Sequence, residues 1–233
     1  MILVDSDLYE YVVFPQLKAA ALFSGGKDSV LSIHEAIRGG VNVNYLLLLK
    51  PTLPVPNPHW VNRHLVEMVA EALGVELVVV ELVRGREEES LASALRGLGV
   101  DYLVGGDVFV EDHVRWYEEV CSQAGVDLIE PLYGVETEEL YHRALDLGVR
   151  FHIIAVNREV NSDLVGLSIG REDRWWFLDE LKSRGIDPIG ENGEYHTLVE
   201  WAPEFKVSRL KFRADGIVDD GYGGVVGVFR LQP

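Results

Sequence analysis

The hexapeptide Ser24-Gly25-Gly26-Lys27-Asp28-Ser29 combines residue types that suit the binding of a phosphate group. Its two glycines lack a Cβ, so the backbone can adopt positive φ angles and approach phosphate oxygens closely. The hydroxyls of Ser24 and Ser29 can donate hydrogen bonds to those oxygens, and Lys27 supplies a mobile cation. Asp28 can hold a bridging Mg²⁺ or cap a helix. The hexapeptide therefore predicts a phosphate-binding loop.

The flanking segments place this loop between a strand and a helix. Residues 18–23 form an apolar run typical of a buried parallel strand, and Val30, Ile33 and Ile37 form an apolar stripe at helical spacing. The first N–H groups of a helix are unpaired and carry partial positive charge, which favours an anion. The alternative is a glycine turn with a capping residue, for which Asp28 or Ser29 alone would be enough.

A second polar stretch, Gly190 to Val199, contains two carboxylates, a carboxamide, a phenol, an imidazole and a hydroxyl between two short apolar runs. A polar hairpin turn is the structural alternative, because Asn-Gly is a strong turn signal. The density of polar groups favours a functional interpretation. Its candidate residues are Glu191, Asn192, Gly193, Glu194, Tyr195, His196 and Thr197.

Two further loops follow predicted strands. Gly105-Gly106-Asp107 follows the strand at 102–104, and a proline-rich loop over 51–60 contains His59. Ligands of parallel sheets bind beyond the carboxyl ends of the strands, so we expect these loops to lie beside the phosphate loop. We assign Asp107 to the binding of a metal or a substrate. The alternative is an aspartate that only stabilises the turn after the strand. The sequence does not distinguish between a solvent-exposed His59 and a functional one.

Composition sets limits on the class of protein. The chain has 233 residues, of which 48% are hydrophobic and 25% charged, as in ordinary globular proteins. Its 38 acidic and 21 basic residues give a net charge of -17, which disfavours nucleic acid as a partner. The single cysteine, Cys121, excludes an internal disulfide and a C-x-x-C zinc pair, and its helical spacing indicates a packed core thiol. The longest aliphatic run, at 46–49, is too short to span a bilayer, so we expect no membrane partner and a cytoplasmic location.

The order of elements predicts an α/β fold, in which a five-stranded parallel sheet carries helices on both faces. We expect an N-terminal extension over 1–17, in which residues 9–14 could add an edge strand. An ATP-binding domain over 18–133 and a smaller C-terminal α+β substrate-binding domain over 134–233 follow. Trp175, Trp176 and Phe177 cannot all face one core, so one of them is expected at a domain junction or a subunit interface, which leaves a homodimer open. The predicted strands are 18–23, 43–49, 77–82, 102–104, 126–129, 151–156 and 225–231, and the predicted helices include 61–72, 87–98, 111–124, 136–147 and 172–183.

The hexapeptide resembles the phosphate loop of the PP-loop ATP pyrophosphatases, which have a fold like that of the adenine nucleotide alpha hydrolases (HUP). It differs from the P-loop pattern, because its lysine follows two adjacent glycines. The resemblance implies cleavage of ATP between the α and β phosphates after adenylation of a substrate oxygen. Ser24 to Ser29, Gly105, Gly106 and Asp107 would then bind ATP, and Asp28 would bind Mg²⁺.

Residues 190–199 narrow the resemblance to the diphthine-ammonia ligase family, which amidates diphthine on elongation factor 2. The usual form is Gly-Glu-Gly-Gly-Glu, an aromatic residue, Glu or His, then Thr. Glu191, Gly193, Glu194, Tyr195 and Thr197 match it. Asn192 replaces a glycine and His196 stands where the eukaryotic enzymes carry glutamate, as in a prokaryotic ligase-related sub-branch.

The family resemblance implies an AMP-forming ligase whose partners are ATP, ammonia and elongation factor 2. Lys27, Asp28, Glu191, Glu194 and His196 are then the catalytic candidates. His59, Asn192, Gly193, Tyr195 and Thr197 are the substrate-binding candidates. The alternatives are a PP-loop ATP pyrophosphatase that acts on another small molecule or on RNA, and a nucleotide-binding module without catalysis.

Overall fold

The computed structural model describes residues 17–160 and 162–232. The strand expected within residues 9–14 of the N-terminal extension lies outside the described residues. Among the helices that are described, none is long and apolar enough to cross a lipid bilayer.

The first sheet confirms the predicted five-stranded parallel sheet. Its strand order is β3-β2-β1-β4-β5, and every neighbouring pair is parallel. From β1, strands β2 and β3 are added on one side and β4 and β5 on the other, so the strand order reverses beside β1, which is where ligands of such sheets bind. The strands are β1 (Lys18–Leu22), β2 (Asn42–Lys50), β3 (Glu76–Glu81), β4 (Tyr102–Val104) and β5 (Asp127–Ile129).

Helices cover both faces of this sheet because its central strand is apolar on both sides. Ala19 and Ala21 pack with α1 (Lys27–Arg38) and α3 (Arg63–Leu73), whereas Ala20 packs with α4 (Glu87–Leu98) and α5 (Glu111–Ala124). All three alanines are fully buried. Alternation along one strand thus separates two apolar cores.

The proline-rich loop contains a short helix that sequence analysis did not predict, α2 (Pro58–Val61). The side-chain oxygen of Asn57 accepts hydrogen bonds from the backbone N–H groups of His59 and Trp60 at 3.1 and 3.0 Å. Pro58 occupies the first turn, where its missing N–H costs nothing. The cap and the proline together start a helix in a segment that composition marks as a loop.

The second sheet is antiparallel and is built on the C-terminal half of the chain. Its strands are β6 (Arg150–Val156), β7 (Ser168–Ile169), β8 (Tyr195–Trp201), β9 (Phe212–Asp219) and β10 (Val225–Leu231). The order is β7-β6-β10-β9, and β8 pairs with β6. The helices α6 (Thr137–Asp146) and α7 (Arg174–Ser183) accompany it. This sheet confirms the smaller α+β part of the predicted fold.

Sequence analysis missed three strands: β9, the short β7, and β8, which begins inside the polar stretch over 190–199. Seven of the eight residues of β9 are exposed, so this edge strand lacks the apolar face that marks a strand in a sequence.

In the aromatic run of α7, Phe177 is fully buried, whereas Trp175 and Trp176 are 65% and 47% exposed.

A buried asparagine joins the two halves of the chain. The side-chain nitrogen of Asn62 donates to the carbonyls of Pro58 and Gly227, both at 2.9 Å. Its oxygen accepts from the N–H of Phe229 at 2.9 Å, and the residue is fully buried. The start of α3 is thereby fixed to β10, and Pro58 of the proline-rich loop is bonded to the same asparagine.

Candidate functional site

A cavity of about 260 Å³ lies beside β1, where the strand order of the first sheet reverses. It is lined by the loops that follow β1, β2 and β4, so the three loops expected to converge all contribute to its wall. The lining combines apolar side chains of β1 and β2 with polar groups of the loops. The lining residues are Leu22, Phe23, Ser24, Ser29, Leu47, Leu48, Leu49, Asn57, His59, Gly106, Asp107 and Tyr117.

The phosphate loop needs glycine at both of its glycine positions. Gly25 has a φ angle of +74°, and a Cβ there would lie 3.0 Å from the Leu198 side chain. A Cβ on Gly26 would lie 3.2 Å from both the Ser24 hydroxyl and the carbonyl of Thr197. Gly26 occupies the N-cap position of α1, and no side chain forms a capping hydrogen bond there. Asp28 lies in the first turn of the helix and does not cap it.

The second polar stretch packs directly against this loop. The backbone N–H of Lys27 donates to the Thr197 hydroxyl at 3.0 Å, and the N–H of Val199 donates to the Gly25 carbonyl at 2.8 Å. Thr197 is 3% exposed. Strand β8 thus forms a wall of the phosphate loop, and the two polar motifs of the sequence meet in one site.

Lys27 connects the same two motifs through its side chain. Its ammonium group donates to the carbonyl of Ile189 and to the Asp28 carboxylate, the latter at 2.9 Å. The ammonium nitrogen also lies 4.9 Å from the centre of the Tyr195 ring, in cation–π geometry. Lys27 is 3% exposed, and one carboxylate compensates its charge.

His59 and His196 form an edge-to-face pair with ring centres 5.6 Å apart. Burial, the neighbouring His196 and Lys27 lower the pKa of His59 to about 3, although a hydrogen bond with the Ser24 backbone opposes the shift. Burial and then Lys27 lower the pKa of His196, against an opposing effect of Asp28. Both rings are therefore neutral at neutral pH.

The two glutamates of the second stretch have different surroundings. Glu194 accepts hydrogen bonds from the backbone N–H groups of Asn192 and Asp187, at 3.0 and 3.2 Å, and from the Asn192 side chain at 3.0 Å. Its carboxylate is therefore occupied within its own loop. Tyr195 is also held locally, because its hydroxyl donates to the Pro188 carbonyl at 2.7 Å.

Glu191 instead reaches the loop that follows β4. Its carboxylate accepts a hydrogen bond from the Phe109 N–H at 2.9 Å. Burial raises the pKa of Glu191, with smaller raising effects from Asp28 and Asp107 and an opposing hydrogen bond from Phe109. Glu191 thus lies near both Asp28 and Asp107 and connects the second polar stretch to the loop after β4.

Asp107 lies in a small polar cluster with a residue that sequence analysis missed, Glu130. The Asp107 N–H donates to Glu130 at 3.2 Å, and the Asp107 carboxylate pairs with His113 at 2.8 Å. Gly105 leaves room for the Glu130 carboxyl, which occupies the place that a Cβ would take. Burial, and then Asp107, raise the pKa of Glu130 to about 8, although the hydrogen bond from Asp107 lowers it. One signal could have found Glu130, because it follows β5 directly at the carboxyl edge of a parallel sheet.

No cluster of three or more potential metal ligands occurs within residues 17–160 and 162–232. Hard carboxylate oxygens do fit Mg²⁺, which commonly binds through one or two carboxylates together with substrate phosphates. Asp28 fits such a role, since its side chain is 36% exposed at the start of α1 and only one of its oxygens contacts Lys27.

Comparison with known proteins connects this site to one family. A family model described as the diphthamide synthase N-terminal domain matches residues 17–128, and one described as the diphthamide synthase C-terminal domain matches residues 136–228. Human diphthine–ammonia ligase is 24% identical over 218 residues, which cover 82% of this chain and 81% of the human protein. The rat ligase is 25% identical over 218 residues, with the same coverage.

Two solved structures are also similar. One, described as a predicted subunit of tRNA methyltransferase from Methanocaldococcus jannaschii, has 20% identity and a TM-score of 0.46, and the match covers 80% of this chain and 98% of that one. The U34-tRNA thiolase NcsA from Methanococcus maripaludis has 16% identity and a TM-score of 0.41, and the match covers 75% and 69% of the two chains. Because the two family models together cover most of the sequence, this chain belongs to the diphthamide synthase family of PP-loop ATP pyrophosphatases.

Proposed function

We propose that this chain is an ATP-dependent ligase that adenylates the carboxylate of diphthine on elongation factor 2 and amidates it with ammonia. AMP and pyrophosphate would be the other products. The observation that carries the proposal is the contact between the phosphate loop and β8, in which Thr197 accepts from Lys27 and Val199 donates to Gly25. This contact holds the phosphate loop and the second polar stretch in fixed positions beside one cavity, which would suit a reaction between two substrates.

In the first step, an oxygen of the substrate carboxylate attacks the α-phosphorus of ATP. A bond forms between that oxygen and phosphorus, and the bond from phosphorus to the pyrophosphate oxygen breaks. The N–H of Lys27 is bonded to Thr197, so the phosphate loop would contribute the other N–H groups of the first turn of α1 and the Lys27 ammonium, which would stabilise the charge that develops on the phosphates. A phosphate oxygen would compete with the Ile189 carbonyl for the ammonium group of Lys27.

Asp28 is the residue we assign to Mg²⁺, together with oxygens of the nucleotide. When bound, Mg²⁺ would neutralise charge on the phosphates and help to orient them. Ser24, Ser29, Gly106 and Asp107 line the cavity and would contact the nucleotide. The apolar side of the cavity, formed by residues 47–49, suits the face of a nucleobase.

In the second step, ammonia attacks the carbonyl carbon of the acyl-adenylate. A carbon–nitrogen bond forms, the carbon–oxygen bond to AMP breaks, and the attacking nitrogen loses a proton. His196 is neutral and can accept that proton, and Glu191 is the nearby carboxylate that is not confined to its own loop. We assign Glu194 a positioning role, because its oxygens hold the backbone of residues 187 and 192.

The test is incubation of the chain with diphthine-bearing elongation factor 2, ATP and ammonium. Amidation replaces a hydroxyl by an amino group, which mass spectrometry of the factor detects, and AMP release is measured in parallel. Lys27→Met should lose both signals, about 100-fold or more. A matched control is Lys50→Met, which removes an exposed lysine paired with Glu81 and should retain both. AMP release without a mass change would assign the activity to another substrate, and neither signal from the wild type would refute the ligase proposal.

A further inference from the structure

Residues 206–213 carry a cluster of basic side chains in an otherwise acidic chain. Four of these eight residues are Lys or Arg and none is Asp or Glu, whereas the whole chain has 21 basic and 38 acidic residues. The segment connects β8 to β9 and includes the first two residues of β9. A local excess of positive charge on a protein with a net charge of -17 marks a surface that attracts anions. The four cations are Lys206, Arg209, Lys211 and Arg213.

This basic segment forms one wall of a cavity of about 480 Å³. The other walls come from the C-terminal half of α3 and from the end of β10, and the cavity shares no lining residue with the cavity at the phosphate loop. Strand β8 runs from Tyr195, whose ring lies beside Lys27, to Trp201, from which the chain continues into the segment. At roughly 3.3 Å per residue, the strand separates the two cavities by about 20 Å.

The fold itself uses two of the four cations. The N–H of Lys206 donates to the Ala72 carbonyl at 2.7 Å, and its ammonium group donates to the Gly74 carbonyl at 3.3 Å. The guanidinium of Arg209 donates to the carboxylate of Glu200 at 3.1 Å, and that glutamate is 1% exposed. These contacts hold the segment against α3 and β8, so its surface is fixed before any ligand binds.

The other two cations have no such role. Lys211 and Arg213 are exposed, and neither side chain has an ion-pair or hydrogen-bond partner in the part of the chain that the structure describes. Arg213 lies directly opposite Arg230 of β10, and like charges in facing positions destabilise a sheet. Asp215 compensates Arg230 at 2.9 Å but leaves Arg213 uncompensated. Both free cations are therefore available to a ligand.

Aliphatic side chains accompany the cations in the cavity. They belong to Met68, Val207, Leu210 and Leu231, and no aromatic residue is among the described lining residues. Val207 is 50% exposed although it is apolar. Single-stranded nucleic acid is held largely by stacking of its bases on aromatic rings, so this lining does not suit it. Carboxylates that alternate with apolar side chains match both parts of the lining.

The positive surface also extends beyond the cavity. Glu71 is the one acidic side chain among the described lining residues, against Arg209 and Lys211. Arg213 does not line the cavity and continues the basic surface onto β9. A small anion would reach only part of this surface. An extended chain can place successive carboxylates against Lys211 and Arg213 while one of its apolar side chains enters the cavity.

We infer that a basic groove, formed by residues 206–213, the C-terminal half of α3 and the end of β10, docks an acidic segment of a partner protein. Carboxylates of the partner pair with Lys211 and Arg213, and an aliphatic side chain enters the cavity beside Val207. Charge complementarity of this kind selects the partner and speeds association. The inference does not depend on the proposed ligase activity, because the basic groove is separate from the cavity at the phosphate loop.

The test is fluorescence anisotropy with a labelled peptide of glutamate that has leucine at every third position. The wild type should bind this peptide, and the affinity should fall as the salt concentration rises. Lys211→Glu and Arg213→Glu should each weaken binding about tenfold. Both variants should keep the melting temperature of the wild type, since neither side chain has a described partner and a glutamate at position 213 would face Arg230.

Arg84→Glu is the matched control, because it makes the same change of charge at an exposed arginine between β3 and α4. It should bind the peptide as the wild type does. A peptide with lysine in place of glutamate should not bind, and labelled oligouridylate should bind about tenfold more weakly. Absence of binding by the wild type, equal weakening by Arg84→Glu, or binding of the lysine peptide would overturn the inference. Oligouridylate that binds as tightly as the peptide would also overturn it and would assign the basic groove to nucleic acid.

Discussion

The backbone N–H of Lys27 donates a hydrogen bond to the hydroxyl of Thr197, 170 residues further along the chain, at 3.0 Å. Both residues are 3% exposed, so water does not compete for this bond. The bond fixes the first turn of α1 to β8. Through it, the geometry of the phosphate loop depends on a residue of the C-terminal half.

Thr197→Val should therefore weaken nucleotide binding although the new side chain has nearly the same shape. The variant leaves the Lys27 N–H buried without a partner, at an expected loss of about 1–3 kcal/mol in the free energy of unfolding. We expect the affinity for ATP, measured by calorimetry, to fall about tenfold. Thr137→Val at the start of α6 is the matched control, and an unchanged affinity at position 197 would show that the loop holds its geometry without β8.

Changing Glu191 and Glu194 to glutamine, one at a time, should affect activity and stability differently. Glu191→Gln removes the carboxylate that reaches the loop after β4, and we expect a loss of amide formation of about 100-fold with ATP affinity retained. Glu194→Gln keeps one accepting oxygen for its loop, so its loss should be smaller and should come with a lower melting temperature. The measurements are AMP release, amide formation and thermal unfolding of both variants. The reverse order of the two losses would exchange the assigned roles.

Glu130→Gln should stabilise the protein in a manner that depends on pH. The ordinary pKa of 4.5 is raised to about 8 in the folded protein, so the folded state holds a proton that the unfolded state releases between these values. Wild-type stability should fall as pH rises from 4.5 to 8, whereas a glutamine has no proton to lose. The variant should melt several degrees higher than the wild type above pH 8, and the difference should disappear below pH 4.5.

Thermal unfolding across this pH range is the measurement for Glu130. Glu118→Gln, at an exposed glutamate of α5, is the control and should give no such trend. A difference that does not change with pH would mean that Glu130 is ionised in the folded protein throughout.

Asn62→Ala should be among the more destabilising single substitutions in this chain. It leaves the Phe229 N–H and the Gly227 carbonyl buried without partners and separates α3 from β10. We expect a loss of about 2–4 kcal/mol in the free energy of unfolding, measured with denaturant. Asn42→Ala, at an exposed position at the start of β2, is the control with an expected change under about 0.5 kcal/mol. Equal effects at the two positions would contradict the role of Asn62 as the joint between the two halves.

Local pattern was sufficient for most of the fold. Apolar runs such as residues 18–22 and helical spacing such as that of residues 87–98 depend on near neighbours in the chain, and the structure has strands and helices there. The same reasoning failed for β9, whose side chains are mostly exposed, and for α2, where a cap outweighed the prolines around it. The assigned roles of the site residues remain predictions.

The sequence by itself determined the phosphate loop, the parallel sheet behind it and the polar stretch over 190–199, because each depends on residue types at short spacing. Only the tertiary structure decided that Thr197 and Val199 contact Lys27 and Gly25, that Glu130 lies against Asp107, and that His59 packs against His196. The physical reason is that such contacts join residues far apart in the chain. Their positions follow from how the two sheets pack, and no spacing along the sequence records that packing.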